Sequence, residues 1–211
     1  MPFHQFKLES VLQEFILDND SLQRMMYVME KMMNYGLTGA ESSIAMLPSF
    51  VPSLPEGDET GRYLAMDLGG TNLRVLLMDI KKEDSITESR NFRVPQAVMT
   101  GTGEGLFDFI VNCLANFLDE KGLLDAGLSL GFTFSYPCDQ HGIRSAKLLH
   151  WTKGFNASGV VGNDVVVMLE EAIKRRGNIK VKIVALMNDT VGTQISTAHD
   201  IGQCALGVIV G

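Results

Sequence analysis

Residues 63–78, YLAMDLGGTNLRVLLM, constrain this chain more than any other stretch. Two apolar, β-rich runs flank Gly69-Gly70-Thr71-Asn72. A glycine pair there reads as a tight hairpin turn, because glycine tolerates the positive φ that such turns require. The glycines also remove side chains where backbone N–H groups could approach a phosphate. Thr71 adds a hydroxyl donor, Arg74 a permanent positive charge, and Asp67 a carboxylate suited to hydrated Mg²⁺. Together they form a nucleotide-phosphate kit on a hairpin instead of a strand-to-helix turn. An ordinary hairpin is the plain alternative, and the glycines alone do not separate the two.

The chain has 211 residues, 45% hydrophobic and 20% charged, a balance that fits a soluble globular protein. That length suits one domain, or one domain plus part of another. Eighteen basic residues against 25 acidic ones leave a net charge of −7. The one basic cluster, Lys174-Arg175-Arg176, closes a helix-like segment, where cations suit the helix dipole. Nucleic acid is therefore not expected as a partner. Cys113, Cys138 and Cys204 are scattered, with neither a disulfide framework's even count nor metal-ligand spacing. A reducing, cytoplasmic compartment fits them. No run approaches the roughly 20 apolar residues of a transmembrane helix, and the N-terminus lacks a signal-peptide pattern. The first residues can form a short amphipathic helix. Such a helix can lie on a membrane surface, but it reads more readily as packed.

Residues 1–36 read as helical. Leu8, Val11, Leu12 and Phe15 keep a helical spacing, and Asp18-Asn19-Asp20-Ser21 can cap a second helix. In that helix Leu22, Met25, Met26, Met29, Met32 and Met33 form an apolar stripe suited to core or to a docking face. Gly36 reads as its stop. Residues 37–62, rich in proline and glycine, form a long connection. Strands are expected at 63–69, 73–80 and 86–94 in an antiparallel meander, with a turn at 81–85. An amphipathic helix follows at 105–122, a strand at 128–134, and a helix within 160–176 carrying Glu170→Lys174 and Glu171→Arg175 pairs. A strand at 180–186, a helix at 190–199 and a last strand at 205–210 complete the reading. Helix and strand alternating after a meander imply an α/β fold with a mixed sheet.

Three further clusters carry chemistry. Ser135-Tyr136-Pro137-Cys138 ends an apolar strand, where α/β proteins often bind ligands, or is simply a proline-ended turn. Trp151-Thr152-Lys153-Gly154-Phe155 offers an ammonium between aromatics that read as packing residues. Asn188-Asp189-Thr190 ends another strand, where Asp189 can accept a hydroxyl proton. The same triplet is also an ordinary helix cap. The histidines make no metal pattern, and the other glycine pairs lack the dinucleotide fingerprint.

In order, these segments resemble the eukaryotic hexokinase family. The matching pieces are LAMDLGGTNLRVLLMD, LGFTFSYPC, LLHWTKGFNASGVVGNDVV, LMNDTVGT and LGVIVG, with SSIAMLPSFVPSLPEGDETG as a weaker match. The resemblance implies an actin-like ATPase, ribonuclease H-like fold with two domains closing over a sugar. It implies transfer of the ATP γ-phosphoryl group to the 6-hydroxyl of glucose and related hexoses. Asp67, Gly69, Gly70, Thr71, Asn72 and Arg74 match the first phosphate loop, with Asp67 near Mg²⁺. Ser135, Thr152, Lys153, Asn188 and Asp189 match sugar contacts, and Asp189 also matches the base. Tyr136 stands where the family often has Phe, adding a hydroxyl expected at the sugar pocket's edge.

On this comparison residues 1–62 are N-terminal helices and a linker, 63–199 a small domain, and 200–211 the first strand of a large domain. The family's second phosphate loop, further sugar ligands and adenosine pocket would lie beyond Gly211. The 211-residue chain alone is therefore expected to transfer phosphate very poorly. The rival reading is a non-catalytic sugar-binding or regulatory module; a chaperone-like ATPase would leave the sugar set unexplained.

Overall fold

Two compact units divide the chain, Met1–Leu47 and Pro48–Gly211. The structure, a computed structural model, describes residues 10–51, 53–54, 56–81 and 85–210. In the first unit residues 10–13 are helical, and helix α1 spans Asn19–Leu37. The Asp18 carboxylate caps it, accepting the Ser21 N–H at 2.7 Å. Leu8 of the earlier apolar spacing lies outside the described residues. Gly36 does not stop the helix, which runs on through Leu37. Its role is close approach, since a Cβ there would lie 2.1 Å from the Ile44 carbonyl. The methionine stripe is not core either: α1 buries no residue, and Met25, Met26 and Met29 are exposed.

In the second unit the elements run β1 (Gly61–Leu68), β2 (Asn72–Ile80), β3 (Ile86–Arg93), α2 (Gln96–Met99), α3 (Gly103–Glu120), β4 (Leu128–Phe134), β5 (Cys138–Gly142), β6 (Ser145–Leu148), α4 (Val165–Arg176), β7 (Val181–Met187) and α5 (Asp189–Ile201). Leu64, Met66 and Leu68 alternate into the core from β1, as do Leu73, Val75 and Leu77 from β2. The strands pair antiparallel in a register that turns both apolar stripes to one side. β3 pairs antiparallel with β2, β4 runs parallel to β1, and β7 runs parallel to β4. The order is β3-β2-β1-β4-β7, the expected mixed sheet with ends shifted by a residue or two. The meander's second turn falls largely outside the described residues.

α3 supplies much of the core through Leu106, Phe107, Ile110, Leu114 and Leu118, and packs on α4. Thr102 caps α3 and Asp164 caps α4. The two ion pairs expected within α4 do not form. Glu170 binds Arg144 and Arg175 binds Asp108, each at 2.6 Å, so tertiary partners displace the pairing along the helix.

Two further departures lie near strand ends. Residues 138–148 contain the unexpected two-stranded sheet of β5 and β6, whose short, polar strands give no periodic signal. Buried Gln140 donates to the Leu186 carbonyl at 3.0 Å, tying this hairpin to β7. Residues 205–210 are apolar but form no strand, because a strand needs a ladder partner and no described segment pairs with them.

Candidate active site

β1, β4 and β7 run parallel as neighbours, so their carboxyl ends meet at one edge of the sheet. β1 leads to β2 on one side, yet β4 pairs with it on the other. That reversal between β1 and β4 makes the crevice in which α/β sheets bind ligands. Asp67 stands in β1 beside this edge, Ser135 follows β4, and Asn188 and Asp189 follow β7.

The Gly69-Gly70-Thr71 turn closes through a Gly69 N–H bond to the Asn72 carbonyl, 3.0 Å, and a Val94 N–H bond to the Thr71 carbonyl, 2.9 Å. Neither glycine has positive φ, so the sequence reading identified the hairpin for the wrong reason. Space is the operative factor at Gly70, where a Cβ would lie 3.3 Å from the Lys153 Cβ. Among the described residues, the Gly70 and Thr71 N–H groups make no hydrogen bond. The Thr71 hydroxyl accepts from the Asn72 amide at 3.2 Å, which leaves its O–H free to donate. Two backbone N–H groups and a hydroxyl are thus available to an anion.

Asp67 and Arg74 are directly paired across the hairpin and share the face opposite the core. The Arg74 Nε donates to the Asn91 side chain at 3.1 Å. Sequence reasoning missed Asn91; its signal was its place opposite Arg74, visible only with the β2–β3 register in hand. Burial raises the pKa of Asp67 from its ordinary value, and the Asp189 charge adds to the rise. Arg74, the Ser135 hydroxyl and Lys153 oppose it. Ser135 is buried, with its Oγ 3.5 Å from the Asp67 carboxylate.

Lys153 has a left-handed backbone, φ 55°, unusual for a residue with a side chain. Its Nζ lies 3.6 Å from the Asp189 carboxylate. Asp189 opens α5 and accepts the Thr190 N–H at 3.0 Å, as does the Asn188 side chain. The capping reading of Asn-Asp-Thr therefore holds, and it leaves the second Asp189 oxygen toward Lys153. Trp151 and Phe155 are packing residues as expected, stacked with ring centroids 5.4 Å apart.

The structure thus gathers Asp67, Gly69, Gly70, Ser135, Lys153 and Asp189 into one charged edge. Thr71, Asn72 and Arg74 lie along its exposed hairpin side. The Thr152 hydroxyl makes no hydrogen bond among the described residues; its carbonyl accepts the Phe155 N–H. Tyr136 departs from expectation. It is buried instead of lining a pocket's edge, and its hydroxyl donates to the Gly69 carbonyl at 2.8 Å.

This sheet order, with a glycine hairpin after the first strand, defines an α/β fold of the actin-like ATPase, ribonuclease H-like class. The hexokinase family model matches residues 7–199. The hexokinase of Brugia malayi is 59% identical over 207 residues, covering 96% of this chain and 36% of that protein. Hexokinase-3 of Homo sapiens is 47% identical over 208 residues, covering 99% of this chain and 22% of that protein. A solved hexokinase from Schistosoma mansoni complexed with glucose is 42% identical, with a TM-score of 0.90, covering 97% of this chain and 47% of that one. This chain belongs to the hexokinase family. It spans about a third or less of these curated relatives and about half of the solved one.

Proposed function

We propose that this protein, completed to the length of its relatives, transfers the γ-phosphoryl group of ATP to the 6-hydroxyl of glucose and related hexoses. The observation that carries the reading is the Lys153–Asp189 pair, set beside the Asp67 and Gly70 hairpin at one sheet edge. A proton acceptor and a phosphate cradle on either side of one lysine are what transfer to an alcohol needs.

Phosphoryl transfer requires positioning and charge neutralisation more than covalent work by protein. Gly70 and Thr71 N–H groups and the Thr71 hydroxyl suit phosphate oxygens, with Gly69 and Asn72 shaping the turn and Arg74 adding positive charge. Ser135, Thr152, Lys153 and Asn188 hold the sugar hydroxyls in this reading. Asp189 takes the proton of the 6-hydroxyl as the oxygen attacks. Lys153 orients that carboxylate and stands near the phosphoryl group in flight. The Asp67 carboxylate, without an ion-pair partner within 4 Å among the described residues, suits Mg²⁺ bound through water. That ion would supply charge neutralisation on the phosphates.

In the same reading residues 63–199 are the small domain of a two-domain enzyme, 1–62 its N-terminal helices and linker, and 200–211 the entry to the large domain. A cytosolic site of action follows from the substrates, with the mitochondrial outer surface as a second location to test. Among the described residues no helix is long and apolar enough to cross a membrane.

A coupled assay on a chimera completed with the remainder of the Brugia malayi hexokinase tests the proposal. Glucose-dependent ADP formation is the expected result, with no measurable turnover from the 211-residue chain alone. A folded chimera that binds glucose by calorimetry yet forms no ADP would favour a non-catalytic sugar-binding module instead.

A further inference from the structure

Tyr136 has no part in the chemistry above, yet it touches both halves of the phosphate-facing edge. Its hydroxyl donates to the Gly69 carbonyl at 2.8 Å, while the Gly69 N–H is already committed to Asn72. Both backbone polar groups of the first turn residue are therefore held, one inside the hairpin and one from the end of β4. The ring itself is locked. Trp151 meets it edge-on with centroids 4.9 Å apart, Phe155 at 5.3 Å and Phe134 at 4.8 Å. Lys153 Nζ lies 5.8 Å from the ring centroid, within cation–π range. The stem of Lys153 in turn packs at Gly70. A phenylalanine would fill the same space but could not hold the Gly69 carbonyl.

We propose that Tyr136 is a positioning residue that locks the phosphate hairpin and Lys153 to the strand end carrying Ser135. With Gly69 held at its carbonyl, the free N–H groups of Gly70 and Thr71 stay aimed outward before any phosphate arrives. The cost of ordering the turn is then met on folding instead of on binding. The inference rests on the phosphotransfer reading of the hairpin.

The test uses the 211-residue chain, its Tyr136→Phe variant, and Leu118→Ala, a buried residue of α3, as a packing control that leaves Tyr136 and its ring contacts in place. Amide exchange is followed at Gly69 and Val94, whose N–H groups close the turn, with Leu130 of β4 as reference. Tripolyphosphate with Mg²⁺ is titrated against the Gly70 and Thr71 amide shifts. Tyr136→Phe should speed hairpin exchange relative to Leu130 and weaken tripolyphosphate binding, each by roughly fivefold to tenfold, as loss of one neutral hydrogen bond implies. Leu118→Ala should lower the melting temperature without changing either ratio. A parent chain whose Gly70 and Thr71 amides ignore tripolyphosphate would overturn the phosphate reading and this role with it. A parent that responds, together with a Tyr136→Phe chain that responds equally, would overturn the role of Tyr136 alone. Equal effects from both variants would reduce Tyr136 to packing.

Discussion

Asp67 and Asp189 stand at the ends of β1 and β7, on either side of β4, and differ in what surrounds their charge. Asp189 opens a helix. Its carboxylate accepts the Thr190 N–H, faces the positive end of α5, and has Lys153 at 3.6 Å. Asp67 sits half-buried in a strand with no helix terminus to support it. Burial and the field of Asp189 raise its pKa, and Arg74, Ser135 and Lys153 compensate only in part. The same side chain is thus supported by backbone in one place and left short of positive charge in the other. Supported charge suits a group that must take a proton from a hydroxyl. Under-compensated charge suits a group that gains from a cation.

The largest test of that contrast is catalytic. In the completed chimera, Asp189→Asn should lower turnover by about a hundredfold to ten-thousandfold, the usual contribution of a general base. Glucose affinity by calorimetry should fall far less than turnover. Asp67→Asn should instead raise the Mg·ATP concentration needed for half-maximal rate. Equal kinetic profiles for the two variants would erase the distinction.

Stability should split them as well. The helix cap beside Asp189 contributes stability, so Asn188→Ala should lower the unfolding free energy by about 1 kcal/mol in denaturant titrations. Asp67→Asn should go the other way and raise the thermal midpoint modestly at neutral pH. The sign follows from its raised pKa: the folded chain holds that proton more tightly than the unfolded chain. Wild-type stability from Asp67 therefore falls as pH rises from the ordinary carboxylate range through the raised value. The gain in the asparagine variant should shrink to nothing below that window. A gain that persisted in acid would point to packing instead of charge.

The smallest effect is the most direct. Carboxyl titration by NMR should give a lower Asp67 pKa in Asp189→Asn than in the parent, because one of the causes of the rise is removed. No change would mean that the two carboxylates do not sense each other.

The hairpin, the amphipathic α3 and the succession of helices and strands along the chain were legible because periodicity and turn residues act locally. Other features were legible in outcome but not in cause. Gly70 marks the turn, yet its φ is not positive, and only the Lys153 stem lying across the sheet explains it. The pairs drawn along α4 failed because Arg144 and Asp108, remote in sequence, offered Glu170 and Arg175 other partners. The residues 205–210 have strand composition, but composition cannot supply a neighbouring strand.

Local chemistry by itself determined where β1 turns and which faces of the sheet and of α3 are apolar; it made Asp67, Ser135, Lys153 and Asp189 candidates, and the ordered resemblance of their segments to one family singled them out. Those properties depend on a residue and its near neighbours along the chain. The tertiary structure alone decided that Asp67 would be half-buried and Asp189 helix-capped, that Asn91 would hold Arg74, and that the Tyr136 hydroxyl would hold Gly69 instead of facing a sugar. Each of these depends on burial or on a partner far away in sequence, and both exist only once the strands have closed into one sheet.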